Sequence, residues 1–187
     1  MELQIINKQQ QELIKATNLI PTELMPKDEG QSVAILTKWP LQYYNSLRPK
    51  SYENIFESPA CSIGKFKRTE GETKAVALIC LMLDDFISFL NVGKTMDARQ
   101  VAQTANLILD DFTYLKIDDF KLFFNRAKKG YYGSAYDRID GQVILQWLVK
   151  YTNERCNEAD NLNYAEHSAR KADERRSMSI LELTSKT

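Results

Sequence analysis

The stretch from Glu72 to Leu90 reads ETKAVALICLMLDDFISFL and decides the fold class. Its apolar side chains recur with the 3.6-residue period of an amphipathic helix. The periodic positions are Val76, Ile79, Leu83, Phe86 and Leu90, widened by Leu78, Met82 and Phe89. A stripe this broad predicts a central helix in a helical core, ending near Gly93. Its longest apolar run, Ala75 to Leu83, is far short of the roughly 20 residues of a membrane span, so we expect no membrane contact.

Helical patterns also occur on both sides of this stretch. Residues 2–19 have the spacing of an amphipathic helix that stops before Pro21. Five prolines then divide residues 21–70, which predicts short helices joined by loops. After the central helix, Thr95 is the expected N-cap of a second helix that has Asp97 in its first turn. This second helix should bury Val101, Ala105, Ile108 and Phe112 and pack antiparallel to the central one.

Charges and glycines mark the limits of two more helices. A third helix is predicted over residues 118–129, with two aspartates at its start, two lysines at its end and Gly130 just beyond. Asp140 is a candidate N-cap for a fourth, long helix. That helix carries an apolar side formed by Val143, Ile144, Trp147, Leu148 and Tyr151.

Together these patterns predict an all-α fold. We expect a single-domain helical bundle over residues 1–153. Residues 154–187 are mostly polar and should form a C-terminal arm that is either a solvated helix or partly disordered. A small apolar cluster at the end of this arm could dock on the domain or on another chain.

Composition limits the classes of function. The 25 basic and 25 acidic residues cancel, which argues against a protein that coats nucleic acid through its overall charge. Three widely spaced cysteines form neither a CxxC motif nor a disulfide framework, and Cys80, inside the apolar run, is expected to be a buried thiol. The first residues lack the apolar region of a secretory signal, so we expect a cytoplasmic protein. The sequence does not indicate an oligomeric state.

Three similar acidic pairs suggest a metal hypothesis. They lie at Asp84–Asp85, Asp110–Asp111 and Asp118–Asp119, each followed by phenylalanine. Carboxylates from packed helices could converge on a hard divalent cation. The favoured interpretation is simpler: each pair lies on the wet side of a helix or caps it, while the flanking apolar residues point inward. We therefore expect no metal and no cofactor.

Catalytic motifs are missing from the sequence. The one histidine, His167, lies in the polar arm, and there is no GxSxG, GxxxxGK[ST], GxGxxG or HExxH pattern. Acid–base chemistry by carboxylate pairs would require burial that a sequence cannot show. We expect a protein that is not an enzyme.

The most unusual segment is KKGYYGSAYDRID, from Lys128 to Asp140. Five basic residues against one acidic residue give residues 121–138 a net charge of +4. Tyrosine rings can stack on unpaired bases while cations meet phosphates, and tyrosine and arginine are also favoured anchors in protein interfaces. Alternatively, the tyrosines cover the core edge while Gly130 caps a helix. The candidate binding residues are Lys128, Lys129, Tyr131, Tyr132, Tyr136 and Arg138.

The segment FFNRAKKGYYGSAYDRIDGQVILQWLVKYTNER, from Phe123 to Arg155, resembles an uncharacterised family of small helical proteins carried by bacterial mobile elements and prophages. The Gly-Tyr-Tyr-Gly turn, the Asp140-Gly141 helix start and the Trp147-Leu148 pair carry the resemblance. It brings no activity and no catalytic residue. It implies a setting among genes for replication, recombination or defence.

The sequence thus favours a non-enzymatic accessory or adaptor protein that binds a protein partner, in a DNA-transaction setting such as replication or a mobile element. Direct binding of DNA or RNA through the basic tyrosine-rich loop is the first alternative. A carboxylate-metal enzyme using the paired aspartates is the second.

Overall fold

The computed structural model describes residues 24–90, 95–133 and 139–184, with side chains up to residue 171. The predicted helix over residues 2–19 lies outside these ranges. Within them the chain forms helices, and the only extended pairing is a single bridge between Ser62 and Lys116. The protein is therefore all-α, as the sequence predicts. The helices are α1 (Glu29–Lys38), α2 (Pro40–Ser46), α3 (Tyr52–Glu57), α4 (Ile63–Glu70), α5 (Glu72–Phe89), α6 (Ala98–Asp111), α7 (Ile117–Lys128) and α8 (Gly141–Thr184).

The first four helices are short, which confirms the expectation for the proline-rich segment. Side-chain oxygens of Asp28, Ser51 and Ser62 cap α1, α3 and α4 by accepting backbone N–H groups. Pro40 begins α2, at a position where a missing N–H costs nothing. The first residue of each short helix is therefore set locally, by a capping side chain or by proline, and does not depend on tertiary packing.

The central position of α5 is confirmed, because it packs against α2, α4, α6 and α7. Its buried face is formed by Ala75, Leu78, Ile79, Met82, Leu83, Phe86 and Ile87. Phe89 is a correction: it was expected in the apolar stripe, yet it is 59% exposed. Its turn is the last one of the helix, where the packed face ends. The predicted stop at Gly93 lies outside the described residues.

The start of α6 is a second correction. Asp97, rather than Thr95, is the N-cap, and its carboxylate accepts the Gln100 N–H at 2.8 Å. The Gln100 side chain in turn accepts the Asp97 N–H at 2.9 Å, which completes a capping box. Ala105 and Ile108 are buried as predicted. The helix packs closely on α5.

The segments before α4 and before α7 lie side by side. Ile63 and Gly64 donate backbone hydrogen bonds to Leu115 and Thr113, at 2.9 and 2.8 Å. Next to this pairing, the Lys116 ammonium donates to three carbonyls at and beyond the C-terminal end of α3, those of Ile55, Phe56 and Ser58. A cation is favourable there because the last carbonyls of a helix carry partial negative charge.

Replacing Gly64 with alanine is expected to lower the free energy of unfolding by about 1–3 kcal/mol, the usual cost of overpacking. A Cβ at this position would lie 2.8 Å from the Thr113 carbonyl oxygen. That oxygen belongs to the backbone and also accepts the Gly64 N–H, so it cannot move away freely. Urea denaturation measures the change.

Gly30→Ala is the comparison for this substitution, because its Cβ would meet a side-chain atom rather than backbone: the Asp28 carboxylate oxygen that caps α1, at 3.2 Å. It should cost less than Gly64→Ala, since a side-chain oxygen can shift more easily than a backbone carbonyl and alanine favours helix more than glycine does. Equal effects at the two glycines would contradict the close approach at Gly64.

The start of α8 agrees with the prediction. The Asp140 carboxylate accepts the Val143 N–H at 3.0 Å, and Ile144 and Trp147 are buried. The chain divides after Trp147 into two compact units. In the second unit the helix continues to Thr184, with Leu148 and Tyr151 buried and residues 163–171 exposed. None of the helices in the described ranges combines the length with the apolar character that a membrane span requires.

The cysteines are all free thiols. Cys61 is completely buried, whereas Cys80 is only partly buried and Cys156 is exposed. Full burial of Cys80 was expected from its apolar neighbours and is wrong. Burial raises the pKa of the Cys61 thiol, and the hydrogen bond with Ser32 opposes this only in part. Cys61 is therefore an unreactive core residue.

Candidate binding surface

The tyrosine-rich loop begins with a defined turn at the end of α7. Gly130 has a φ of 76°, in the left-handed region that favours glycine. The Tyr131 N–H donates to the Arg126 carbonyl at 3.1 Å, and the Gly130 N–H donates to that of Ala127 at 2.9 Å. This pair of bonds is a Schellman motif, so Gly130 terminates the helix, as predicted. The motif fixes the backbone that carries the next two tyrosines.

The two tyrosines of this turn differ in exposure. Tyr132 is only 6% exposed, and its ring lies 5.5 Å from that of Phe123 and 6.4 Å from that of Trp147, between ring centroids. It covers the core edge, which is the alternative role foreseen for the tyrosines. Tyr131 is 62% exposed and meets Tyr132 edge to face at 5.1 Å. Only Tyr131 of this pair offers its ring to a partner.

Arg126 supports the exposed ring from the side of α7. Its guanidinium carbon lies 5.3 Å from the ring centroid of Tyr131 and 4.5 Å from that of Tyr52. One guanidinium nitrogen also donates to the Tyr52 hydroxyl at 2.5 Å. The guanidinium is thus held by α3 and in turn contacts the exposed tyrosine. These are cation–π contacts, which orient the ring and the cation together.

The two lysines at the end of α7 have different surroundings. The Lys128 ammonium lies 2.8 Å from a carboxylate oxygen of Asp85 and 5.3 Å from the ring centroid of the exposed Phe89. Its charge is therefore largely balanced. Lys129 is exposed and has no ion-pair partner within the described part of the chain. Arg126, Lys129 and Tyr131 together are called the Tyr131 surface below.

Two of the candidate binding residues, Tyr136 and Arg138, lie outside the described residues. Sequence reasoning missed Arg126 and Tyr52. Arg126 could have been found, because a Schellman motif brings the residue after its glycine close to the residue four positions before that glycine. With Gly130 recognised as the cap, Tyr131 and Arg126 become expected neighbours. Tyr52 is distant in sequence, and no local pattern points to it.

The acidic pairs differ from one another. Asp84, Asp110 and Asp111 are exposed, and Asp85 is bound by Lys128. Asp118 and Asp119 are buried at the start of α7, where Asp119 accepts the Lys116 N–H at 2.8 Å and Asp118 accepts the Ser58 hydroxyl. Burial raises the pKa of Asp118, against the hydrogen bond from Ser58. No group of three or more metal-ligating side chains assembles among the described residues.

The third pair, Asp118–Asp119, therefore caps a helix, as the second half of the favoured interpretation states. In the first two pairs, Asp84, Asp110 and Asp111 lie on the solvent side of their helices, as its first half states. The carboxylates of this third pair are buried, so the pair caps its helix without lying on the wet side of the turn. The reason is the neighbouring segment from Ile55 to Ser58, which covers the start of α7 and binds it through Lys116.

Residues 94–181 match the model of a family of unknown function (DUF6633). This stretch is a little less than half of the chain and contains α6, α7, the Tyr131 surface and most of α8. It also contains Phe123 to Arg155, so the resemblance to an uncharacterised family is supported for that segment, whereas the description of the family says nothing about mobile elements. No curated protein and no solved structure matches the chain significantly.

Proposed function

We propose that the protein is a non-enzymatic accessory or adaptor that binds a protein partner through the Tyr131 surface. One observation carries the proposal: Tyr131 is 62% exposed, yet its ring is already held by Arg126 and by the edge of Tyr132. A large aromatic side chain in this state has lost part of its freedom before any partner binds. Association then costs less conformational entropy.

The residue types also suit a protein interface. Tyrosine and arginine are enriched among the residues that contribute most to binding, and they contribute most at the centre of a contact patch. Here the Arg126 guanidinium faces the Tyr131 ring, and the exposed Lys129 lies between these two residues in the sequence. A partner that covers the Tyr131 ring would also desolvate the guanidinium. We expect a partner with an apolar pocket for the ring and a carboxylate near the two cations.

Direct nucleic-acid binding by the same surface is the second candidate. It is favoured by an exposed ring that could stack on a base and by the free charge of Lys129. It is disfavoured because Asp85 holds Lys128, which removes one phosphate contact from the loop. The carboxylate-metal enzyme has the least support, since three carboxylates of the first two pairs are exposed and the fourth is bound by Lys128.

The proposed setting is the cytoplasm. A place among replication or mobile-element proteins follows from the resemblance around the Gly-Tyr-Tyr-Gly turn. The proposal requires no cofactor and no metal.

Replacing Tyr131 with a photo-cross-linking phenylalanine derivative is expected to join the protein to its partner in living cells. Tyr114 is the matched control position, because it is also an exposed tyrosine of the first unit, at 49%, and has no ring or hydrogen-bond partner in the described part. Cross-linked products at position 131 but not at 114 identify the partner. With that partner purified, Tyr131→Ala should weaken binding by about tenfold to 30-fold, the effect of losing an aromatic anchor.

Other outcomes of this experiment are equally informative. Cross-links to DNA or RNA at position 131, with binding that weakens steeply as salt rises, would replace the proposal with the nucleic-acid candidate. The same products from positions 131 and 114, or unchanged affinity after Tyr131→Ala, would remove the Tyr131 surface as the binding site.

A further inference from the structure

An apolar groove opens at the surface where α1, α2, α4 and α5 meet. It encloses about 190 Å³. The ammonium of Lys74, at its rim, lies 2.6 Å from a carboxylate oxygen of Glu70, so this charge is balanced. A cavity of about 150 Å³ holds a benzene molecule, so the groove accepts one or two aliphatic side chains. Its lining consists of Thr37, Lys74 and six apolar residues, Leu36, Pro40, Phe66, Ala77, Leu78 and Leu81.

The floor and the edge of the groove differ in exposure. Leu36, Phe66 and Leu78 are buried and belong to the core, whereas Ala77 is exposed and Leu81 is half-buried. Core side chains are therefore reached from outside through this opening. Because apolar surface of this kind gains free energy when it is covered, the groove is suited to an apolar occupant.

The open side of α5 shows the form that an occupant should have. Lys74, Ala77, Leu81, Asp84 and Ser88 follow one another at alternating steps of three and four residues, and all of them are at least partly exposed. A second helix packs along a row of side chains with this spacing. The apolar part of the row lines the groove. The shape therefore fits an amphipathic helix that lies along α5 and inserts apolar side chains beside it.

Residues 2–19, the predicted amphipathic helix, have matching requirements. Their apolar positions Leu3, Ile6 and Leu13, with Ile20 just beyond, are three, seven and seven residues apart, which is the same register. In proteins, most of the stability of such a helix comes from packing its apolar side and not from helix propensity. The segment therefore needs an apolar surface.

The connection from this segment to the groove is short. The described part of the chain begins at Leu24, which is buried, and α1 begins at Glu29. Residues 20–28 can span at most about 30 Å, whereas Thr37 lies about 12 Å along α1 from Glu29. The groove is within reach, and a segment on a short tether has an effective concentration in the millimolar range. A separate partner would have to compete with that concentration.

We infer that residues 2–19 dock in this groove as an amphipathic helix and cover Leu36, Phe66 and Leu78 with aliphatic side chains. The occupant is thus a segment of the same chain. The groove shares no residue with the Tyr131 surface, so either proposal can fail without the other.

Photo-cross-linking in the purified full-length protein tests this contact. A benzophenone amino acid at position 77 lies at the edge of the groove, because Ala77 is exposed there. Mass spectrometry after digestion should find cross-links from position 77 to residues 2–19 of the same chain. Leu107 is the control position, since it is exposed on α6 and does not line the groove, and it should give no such product. Cross-links between two chains at position 77 would assign the groove to a second copy and overturn the proposal, as would the absence of products with residues 2–19.

Thermal unfolding gives a second, independent measurement. Leu13→Gln and Ala77→Glu should each lower the midpoint, because each releases the same segment, and both new side chains are compatible with a helix. The double variant should fall no further than the lower of the two single variants. Lys8→Gln is the control within the segment, since position 8 lies about 140° around the helix from position 13. Ala165→Glu, at an exposed alanine of α8, is the control for the added charge. Neither control should shift the midpoint, and fully additive shifts in the double variant would contradict the docking.

Discussion

Phe124→Ala is expected to lower the free energy of unfolding by about 3–5 kcal/mol, the range for removing a phenylalanine ring from a packed core. Phe124 is 1% exposed, and its ring centroid lies 5.1 Å from that of Phe86 and 4.9 Å from that of Phe123. The ring thus joins α5 to α7, and its loss leaves a cavity between them. Urea denaturation followed by circular dichroism measures the change, provided that the slope with urea stays that of the wild type.

Phe89→Ala is the matched control for this result. Both residues are phenylalanines, but Phe89 is 59% exposed, and the Lys128 ammonium lies 5.3 Å from its ring centroid at the protein surface. Its loss should change the free energy of unfolding by less than about 1 kcal/mol. A large effect at Phe89 together with a small one at Phe124 would contradict the packing of Phe124 between α5 and α7 and the exposure of Phe89. Both outcomes are measured in the same experiment.

These two phenylalanines also show what periodicity can and cannot predict. The pattern from Glu72 to Leu90 predicts α5 almost to the residue and identifies its buried side. It includes Phe89 because that residue continues the stripe. Whether the last turn is covered depends on where the neighbouring helices end, and a local pattern contains no such information. The error is therefore confined to the end of the element.

The N-cap of α6 is an error that local chemistry could have prevented. Thr95 and Asp97 are both acceptable cap residues, and they are two positions apart. Only Asp97 has glutamine three residues later, and that spacing permits the reciprocal bonds of a capping box. The sequence contained this information. In contrast, Gly130 and Asp140 were identified correctly. Gly130 is the glycine that directly follows the apolar pattern of α7, and Asp140 is the cap-forming residue that directly precedes the apolar pattern of α8.

The contacts that hold the start of α7 were beyond prediction. Lys116 binds carbonyls about 60 residues away, and Ser58 donates to Asp118 over a similar separation. Such contacts depend on the tertiary arrangement, which neither propensity nor spacing encodes.

The Tyr131 surface could be predicted from the sequence only in part. Its turn and its Tyr131–Arg126 contact follow from the cap at Gly130, whereas the burial of Tyr132 follows from packing on Phe123 and Trp147.

Lys121→Met is expected to raise the free energy of unfolding at pH 7, by up to about 3 kcal/mol. The folded-state pKa of about 8 lies below the model value of 10.5, and each pKa unit corresponds to about 1.4 kcal/mol. The groups facing Lys121 are the Asp85 carboxylate, the Lys128 and Arg48 cations and the Tyr44 ring. All of them remain in the variant, so the difference between the two proteins reports the ammonium itself.

The sign of the pH dependence follows from proton binding. Below pH 8 both the folded and the unfolded chain hold the Lys121 proton, and the whole cost of burying the charge opposes folding. Between pH 8 and 10.5 the unfolded chain binds more protons than the folded chain at this site, so the stability of the wild type rises relative to that of the variant. The advantage of Lys121→Met should therefore be constant below pH 8 and disappear towards pH 10.5. Lys129→Met, which removes an exposed charge, should show neither the advantage nor the slope.

The opposite result would have an equally definite meaning. If Lys121→Met destabilises the protein at pH 7, the contact of the ammonium with the Tyr44 ring and the attraction of Asp85 outweigh the cost of burial, and Lys121 is a structural residue. If the variant is more stable, the folded chain holds a cation that opposes its own folding and has no internal acceptor.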